Sequence, residues 1–466
     1  MSFFMSLINS AEQSETSSVA TASVATVSKS LDEALRLASL GAFIYIDSAP
    51  ALEAARLADE SAKDGQALGP LHGLPIVVKD NIHVAGMPNT AGTLSLKNFV
   101  PEKSNATVSA LVNAGAIVIG KTNMHELAFG LTSNNAAFGP VRNVVDPSLI
   151  AGGSSGGTAV AVASGIVAMG LGTDTGGSVR VPSALNGVVG LRPTLGRYNS
   201  EDVTPIASTR DTVGPIANTV RNVALMDSVI TGIDAGITEA SLMGLRLGVP
   251  REYFYQGLSS DIEKNIEAVL ESLTQAGVEL VDVELPQLQV ANDGVSFPVA
   301  LHEFITEMPQ YLQKYKTGVS LIDLVAGIAS PDVKGAAESQ LSPDAISLEV
   351  YADAINIFRP QLQAIYSKGF SANNVDAFIV PATPCVAQPI LTSDETVELN
   401  GAQASTFVTY KQNADPTSNA GLPSLALPSG KSKSGLPIGI LLDGPENSDR
   451  RLLEIGLAIE SLLSVS

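Results

Sequence analysis

Three short stretches hold most of the side chains able to do chemistry: His72-Gly-Leu-Pro-Ile-Val-Val-Lys79-Asp80, Gly152-Gly-Ser154-Ser155-Gly-Gly157 and Gly172-Thr-Asp174-Thr-Gly-Gly177-Ser178-Val-Arg180. Each has an ordinary explanation when taken alone. A lysine closing an apolar strand is costly to bury as an ammonium, and its stem can snorkel to solvent instead. Gly152 to Gly156 fits G-x-S-x-G, the pattern of a nucleophile elbow, with Ser154 as the exposed serine. That mechanism needs a histidine further along the chain, and His302 is the only one available, inside the helical pattern ALHEFITEM. His72, His83 and His125 all lie upstream, so the chain order is poorly met. As a phosphate cradle the glycine run lacks both the G-K-[ST] ending and the G-x-G-x-x-G pattern.

Together the three stretches meet one need: a serine, a route for its proton, and backbone N–H groups for an oxyanion. Thr175-Gly-Gly-Ser178 offers consecutive N–H groups with little side-chain obstruction, which suits an oxyanion hole as well as it suits a plain glycine turn. His125 beside Glu126 makes no divalent site, because adjacent residues on a helix point apart. Arg210 with Asp211 reads as a buried ion pair or as a contact for substrate.

These residues need a rigid frame. Strand-like LPIVV, AIVIG and IVAMGLG alternate with helix-like ATVSALVNAG and the segment after the glycine run. The alternation returns as LRLGV, IEKNIEAVLESLTQAG, VELVDVEL, DAFIVP, SLALP and PIGILL. Such a pattern predicts an α/β fold, a parallel or mixed sheet covered by helices. A helical insertion over about 297–368 separates the two strand-rich portions. Upstream, SLDEALRLASL and ALEAARLADE are spaced as helices, with Ser30 and Glu33 in capping-box relation, so two helices are expected before the first strand. Residues 10–30, rich in Ser, Thr and Ala, read as a frayed tail or a weak helix. Ser448 is the expected cap of the last helix, whose apolar face is Leu452, Leu453, Ile455 and Ile459.

With 466 residues, 45% of them hydrophobic, the chain can bury a large core. A formal net charge of −20 disfavours nucleic acid and anionic membranes as partners, and Lys431 to Lys433 is a solvated loop rather than a basic patch. One cysteine, Cys385, excludes an intrachain disulfide and any cysteine-cluster metal site. The opening Met-Ser-Phe-Phe-Met-Ser-Leu-Ile has no basic region and no sufficient apolar run for a signal peptide, and Thr158 to Gly172 is too short for a span. A cytoplasmic protein is expected.

The glycine- and serine-rich segment from Leu149 to Pro193 resembles the hallmark of the amidase-signature family. The similarity runs from Gly69 to Gly232 and resumes in AGLPSLALPSG and LPIGILLDGP. The resemblance implies one amidase domain over 1–466: an N-terminal helical segment to about 65, a signature core over about 66–232, and a C-terminal part from about 233. Its sheet would be large, mixed, mostly parallel and twisted. The resemblance also makes Ser178 the acyl-forming nucleophile, Ser154 a relay on a cis peptide bond, and Lys79 the base. Thr175, Gly176, Gly177 and Ser178 would supply the oxyanion N–H groups, with Ser155, Asp174 and Arg180 bracing them. No metal and no cofactor is implied. For Lys79 to serve as base, its pKa must fall by about three units from roughly 10.4, about 4 kcal/mol.

The stretches MHELAFGLTSNNAAFGPVRN and Thr204 to Pro215 are similar to indoleacetamide and mandelamide hydrolases, pointing to a small primary amide such as an aryl-substituted acetamide. The family also includes the glutaminase subunit of tRNA-dependent amidotransferases and carboxybiuret-type hydrolases. N-terminal helices in this family often form dimer interfaces, so a homodimer is expected.

Overall fold

The computed structural model describes residues 22–233 and 236–464. The opening segment to residue 21, on which the signal-peptide reading and part of the weak-helix reading fall, lies outside them. The first described element is a helix, Ala22–Arg36, which runs straight through Ser30. Ser30 is buried in mid-helix and caps nothing, because the apolar face begins earlier, at Val27. The first strand, β1 (Phe43–Ile46), lies between this helix and the next, Ser48–Lys63, rather than after both. Its four residues, FIYI, are aromatic or β-branched, and the strand pairs antiparallel with the strand Ile117–Thr122.

Eleven strands form one sheet in the order β1-β3-β2-β4-β6-β5-β12-β13-β9-β7-β8. They are β2 (Pro75–Lys79), β3 (Ile117–Thr122), β4 (Met169–Asp174), β5 (Val189–Arg192), β6 (Thr212–Ala217), β7 (Arg246–Val249), β8 (Glu279–Asp282), β9 (Ala377–Pro381), β12 (Ser424–Lys431), β13 (Pro437–Asp443) and β1. A separate hairpin pairs β10 (Thr396–Leu399) with β11 (Ala402–Ser405). The sheet is large and mixed as expected, but it is not mostly parallel: six of its ten neighbouring pairs are antiparallel. Its parallel pairs are confined to β3-β2-β4 and β9-β7-β8. Between them the pairing is antiparallel, because β6 runs back along β4, β5 runs back along β6, and the β12–β13 hairpin closes the gap to β9.

The central strands are buried on both faces. In β2, Ile76 and Val78 pack into one cluster and Val77 into another. In β12, Leu425 and Leu427 face the first cluster while Ala426 faces a third. This alternation is what a strand of period two produces when helices cover both sides, and it explains the near-continuous apolar runs in the sequence. The insertion starts earlier and ends later than its periodicity suggested, with helices from Leu288–Lys314 to Arg359–Asn373. Pro298 and Pro309 lie inside the first of these and interrupt its pattern. Among the described residues, no helix is long and apolar enough to cross a membrane.

Truncating a fully buried side chain of β12 removes packing that both flanking strands share. Leu425→Ala is expected to cost about 2–5 kcal/mol in chemical denaturation.

Candidate active site

Lys79 ends β2, and Thr173 and Asp174 end the neighbouring parallel strand β4, so the two carboxyl ends open at the same edge of the sheet. Crevices at such edges are where open α/β sheets bind ligands. Beyond β4 the chain turns through Thr175 to Val179 into the helix Arg180–Asn186. The second glycine run arrives from the side and enters the helix Gly156–Ala163. It is fastened to β4 by Ser155, whose hydroxyl donates to Thr173 O (3.1 Å) and accepts from Thr173 N–H (3.2 Å). Ser155 N–H also donates to Ser178 O at 3.1 Å, which joins two of the three stretches directly. The Gly153–Ser154 peptide bond is cis.

Lys79 is fully buried, and its Nζ donates to Ser154 Oγ (2.7 Å) and Thr173 Oγ1 (2.8 Å). Among the described residues no carboxylate lies within ion-pairing distance of it. Burial pushes the ammonium down to about 7, although Asp174 and Asp211 pull the other way from further off. The adjacent Asp80 is drawn off by a second buried lysine that the motif reading missed. Lys121 of β3 stands 3.5 Å from Asp80 and donates to Pro88 O and Asn89 Oδ1.

Asp174 anchors the turn that carries Ser178. Arg180 grips its carboxylate through Nε and Nη2, both at 3.0 Å, and Arg192 adds a contact at 3.2 Å. Burial pushes the Asp174 carboxyl up, but the two guanidinium groups outweigh it and hold the group well below the usual range. Arg180 also donates to Thr417 Oγ1 and Ser418 Oγ in the helix Asp415–Ala420, tying the signature segment to the C-terminal part.

The four expected oxyanion donors are not equivalent. Gly177, at φ +118°, turns its N–H to Asp174 Oδ1 at 2.8 Å and does not line the cavity. Thr175, Gly176 and Ser178 do line it, and their N–H groups have no acceptor among the described residues. Ser178 is nearly buried, and its hydroxyl has no hydrogen-bond partner among the described residues.

Arg210 and Asp211 do not pair with each other. Arg210 donates to Asp415 Oδ1 (2.6 Å), Ser296 O and Thr175 O, while Asp211 accepts from Thr175 Oγ1 (2.6 Å) and from Ile206 and Ala207 N–H. Both residues close a turn on Ala207 O through their backbone N–H groups, so the Asp211 carboxylate is taken up by the turn while Arg210 reaches Asp415, far along the chain. Arg210 and Asp415 both line the cavity of about 250 Å³ onto which Ser178 opens. Its wall also carries Phe297 and Phe407, ring centroids 5.6 Å apart, with Lys411 Nζ 4.4 Å from the Phe297 centroid. Neither aromatic was singled out from sequence. His302 lies outside this cavity, stacked on Tyr351. Among the described residues no group of His, Cys, Asp and Glu is placed to hold a metal ion.

A fold and a site of this kind define an amide-hydrolysing enzyme, and the chain belongs to the amidase family, whose description, Amidase, matches residues 25–453. It is 45% identical over 408 residues to an indoleacetamide hydrolase of Rhizobium radiobacter, covering 88% of this chain and 87% of the relative. It is 44% identical over 443 residues to a mandelamide hydrolase of Pseudomonas putida, covering 91% and 85%. A crystal structure of an amidase superposes with a TM-score of 0.86 at 33% identity, over 99% of this chain and 100% of the other.

The Asp174 cluster yields a stability prediction. Asp174→Asn leaves two buried guanidinium groups without their carboxylate and is expected to cost about 3–5 kcal/mol in denaturant unfolding.

Proposed function

We propose that this enzyme hydrolyses a small primary amide of an aryl-substituted acetic acid, releasing the acid and ammonia. The observation that carries the chemistry is a buried Lys79 with no acidic partner, 2.7 Å from Ser154, beside a Ser178 that opens onto the cavity. Neutral Lys79 accepts a proton from Ser154 as Ser154 takes one from Ser178, and Ser178 Oγ attacks the amide carbon. Thr175, Gly176 and Ser178 N–H groups stabilise the oxyanion. The proton returns through Ser154 to the departing ammonia, and water then releases the acid by the same relay. Gly177 acts one step back, by fixing the turn through Asp174. Two relatives whose names specify aryl-bearing amides, together with Phe297 and Phe407 on the cavity wall, support an aromatic substrate.

The test is ammonia release from indole-3-acetamide, mandelamide, phenylacetamide, glutamine and carboxybiuret. Wild type is expected to turn over an aryl acetamide, and Ser178→Ala none. Turnover of glutamine alone would move the assignment to the glutaminase branch of the family, and equal activity of both proteins would remove Ser178 as nucleophile.

The pH profile follows from Lys79. A base must be neutral in the free enzyme, and burial sets this lysine's pKa at about 7. The neutral fraction therefore grows as pH rises, and kcat/KM should fall about tenfold per unit below that point and level off above it. A profile flat down to about pH 5 would exclude a lysine base. Cys385 is buried, which pushes its thiol up to about 11, so iodoacetamide at neutral pH should leave the rate unchanged, as should EDTA.

A further inference from the structure

Three consecutive residues leading into β6 close on the end of β4 and the turn after it. Arg210 Nε donates to Thr175 O (3.2 Å), Asp211 Oδ1 accepts from Thr175 Oγ1 (2.6 Å), and Thr212 Oγ1 donates to Asp174 O (3.3 Å). Thr175 is thereby held at its carbonyl and at its hydroxyl. Arg210 is 3% exposed, and its other two nitrogens are engaged as well. Nη1 donates to Ser296 O (2.7 Å) of the helix Leu288–Lys314, and Nη2 to Asp415 Oδ1 (2.6 Å) of the helix Asp415–Ala420. The second oxygen of Asp415 accepts from Asn292 Nδ2 (3.3 Å) and Lys411 Nζ (3.4 Å). A planar fork with every nitrogen engaged on the protein is a rigid bracket. It also packs against the next residue: a Cβ on Gly176 would stand 3.1 Å from Asp415 Oδ1 and 3.2 Å from Arg210 Nη2.

The Thr175 carbonyl and the Gly176 N–H belong to one peptide unit, and that unit is trans. In a planar trans peptide the two groups point opposite ways, so a bond that fixes the carbonyl fixes the direction of the N–H. Glycine on one side leaves such a unit free to swing unless something outside holds it. A guanidinium on the carbonyl also polarises the peptide and strengthens its N–H as a donor. We infer that Arg210 is a positioning residue for the oxyanion donor Gly176 N–H, acting through the Thr175 carbonyl and itself held in place by Asp415. This rests on the reading of Ser178 as nucleophile and of Gly176 N–H as an oxyanion donor. Arg210 lines the cavity, yet its effect on the reaction is carried by the peptide and not by contact with substrate.

The test is Arg210→Lys, which keeps a positive charge for Asp415 but cannot hold Asp415, Ser296 and Thr175 at once. On the panel amide that the wild type hydrolyses fastest, kcat is expected to fall about 100-fold, the cost of a contact misplaced by about 1 Å. KM should stay within about 3-fold, as for an interaction made only in the transition state. The same amide is then compared with its thioamide, whose sulfur is a poor acceptor and gains little from an oxyanion N–H. The amide-to-thioamide ratio of kcat/KM should narrow about 10-fold in the variant. A merely structural role would slow both compounds alike. Calorimetric binding of the amide to Ser178→Ala should be the same with and without Arg210→Lys. If the lysine protein does not fold, Arg210→Met combined with Asp415→Asn removes both charges with little change in volume and should give the same pattern. A kcat within about 3-fold of the wild type, a loss carried by KM or by binding, or an unchanged thioamide ratio overturns the assignment. A preferred amide outside the aryl acetic acids would reject the proposed substrate and leave the role of Arg210 standing. Full activity in Ser178→Ala would reject the nucleophile, and the role of Arg210 with it.

Discussion

An ammonium without a carboxylate is the constraint around which this structure is arranged. Lys79 has acidic groups in its neighbourhood, and each is engaged elsewhere. Asp80 is matched by Lys121, Asp174 by Arg180 and Arg192, and Asp211 by the Thr175 hydroxyl and two backbone N–H groups. Had any of these paired with Lys79, its charge would be stabilised and its pKa raised, as an opposite charge within about 4–6 Å does. What remains around Nζ is two hydroxyls and apolar strand, an environment that favours the neutral amine. The buried arginines are therefore as much a part of setting the lysine's protonation as the lysine's own depth.

Much of this was legible in the sequence because the candidate residues sit in local patterns. Lys79, Ser154 and Ser178 each lie at a strand end or a glycine-rich turn, where composition is distinctive, and the strands β2, β3, β4, β12 and β13 each contain a short apolar run. Other elements carried no such mark. Strand β6 contains Gly214 and Pro215, residues that argue against a central strand, yet it pairs along its length with β4. Ser30 and Glu33 matched a capping pattern in the middle of a helix because the pattern is short and the preceding turn is polar.

The cavity wall was the least legible part. Phe297 and Phe407 lie in segments whose periodicity reports only helix, and nothing local marks which face meets the site. The partnership of Arg210 with Asp415 rather than Asp211 is of the same kind: sequence adjacency suggested a pair that the backbone separates, and the real partner stands in a helix near the other end of the chain. Contacts between distant segments are set by topology, which local spacing does not encode.

The strand order carries a consequence for how the enzyme comes into being. Strand β5, which follows the turn at Ser178 and the helix Arg180–Asn186, pairs with β12, and Arg180 is held by Thr417 and Ser418. Closing loops of this length comes late in folding, since their entropy must be met before the contacts reward it. A chain emerging from the ribosome thus carries Lys79, Ser154 and Ser178 long before the walls that hold Asp174 and Arg180 exist. The turn at Ser178 gains the contacts that brace it only once residues near the C-terminal end of the chain have been made.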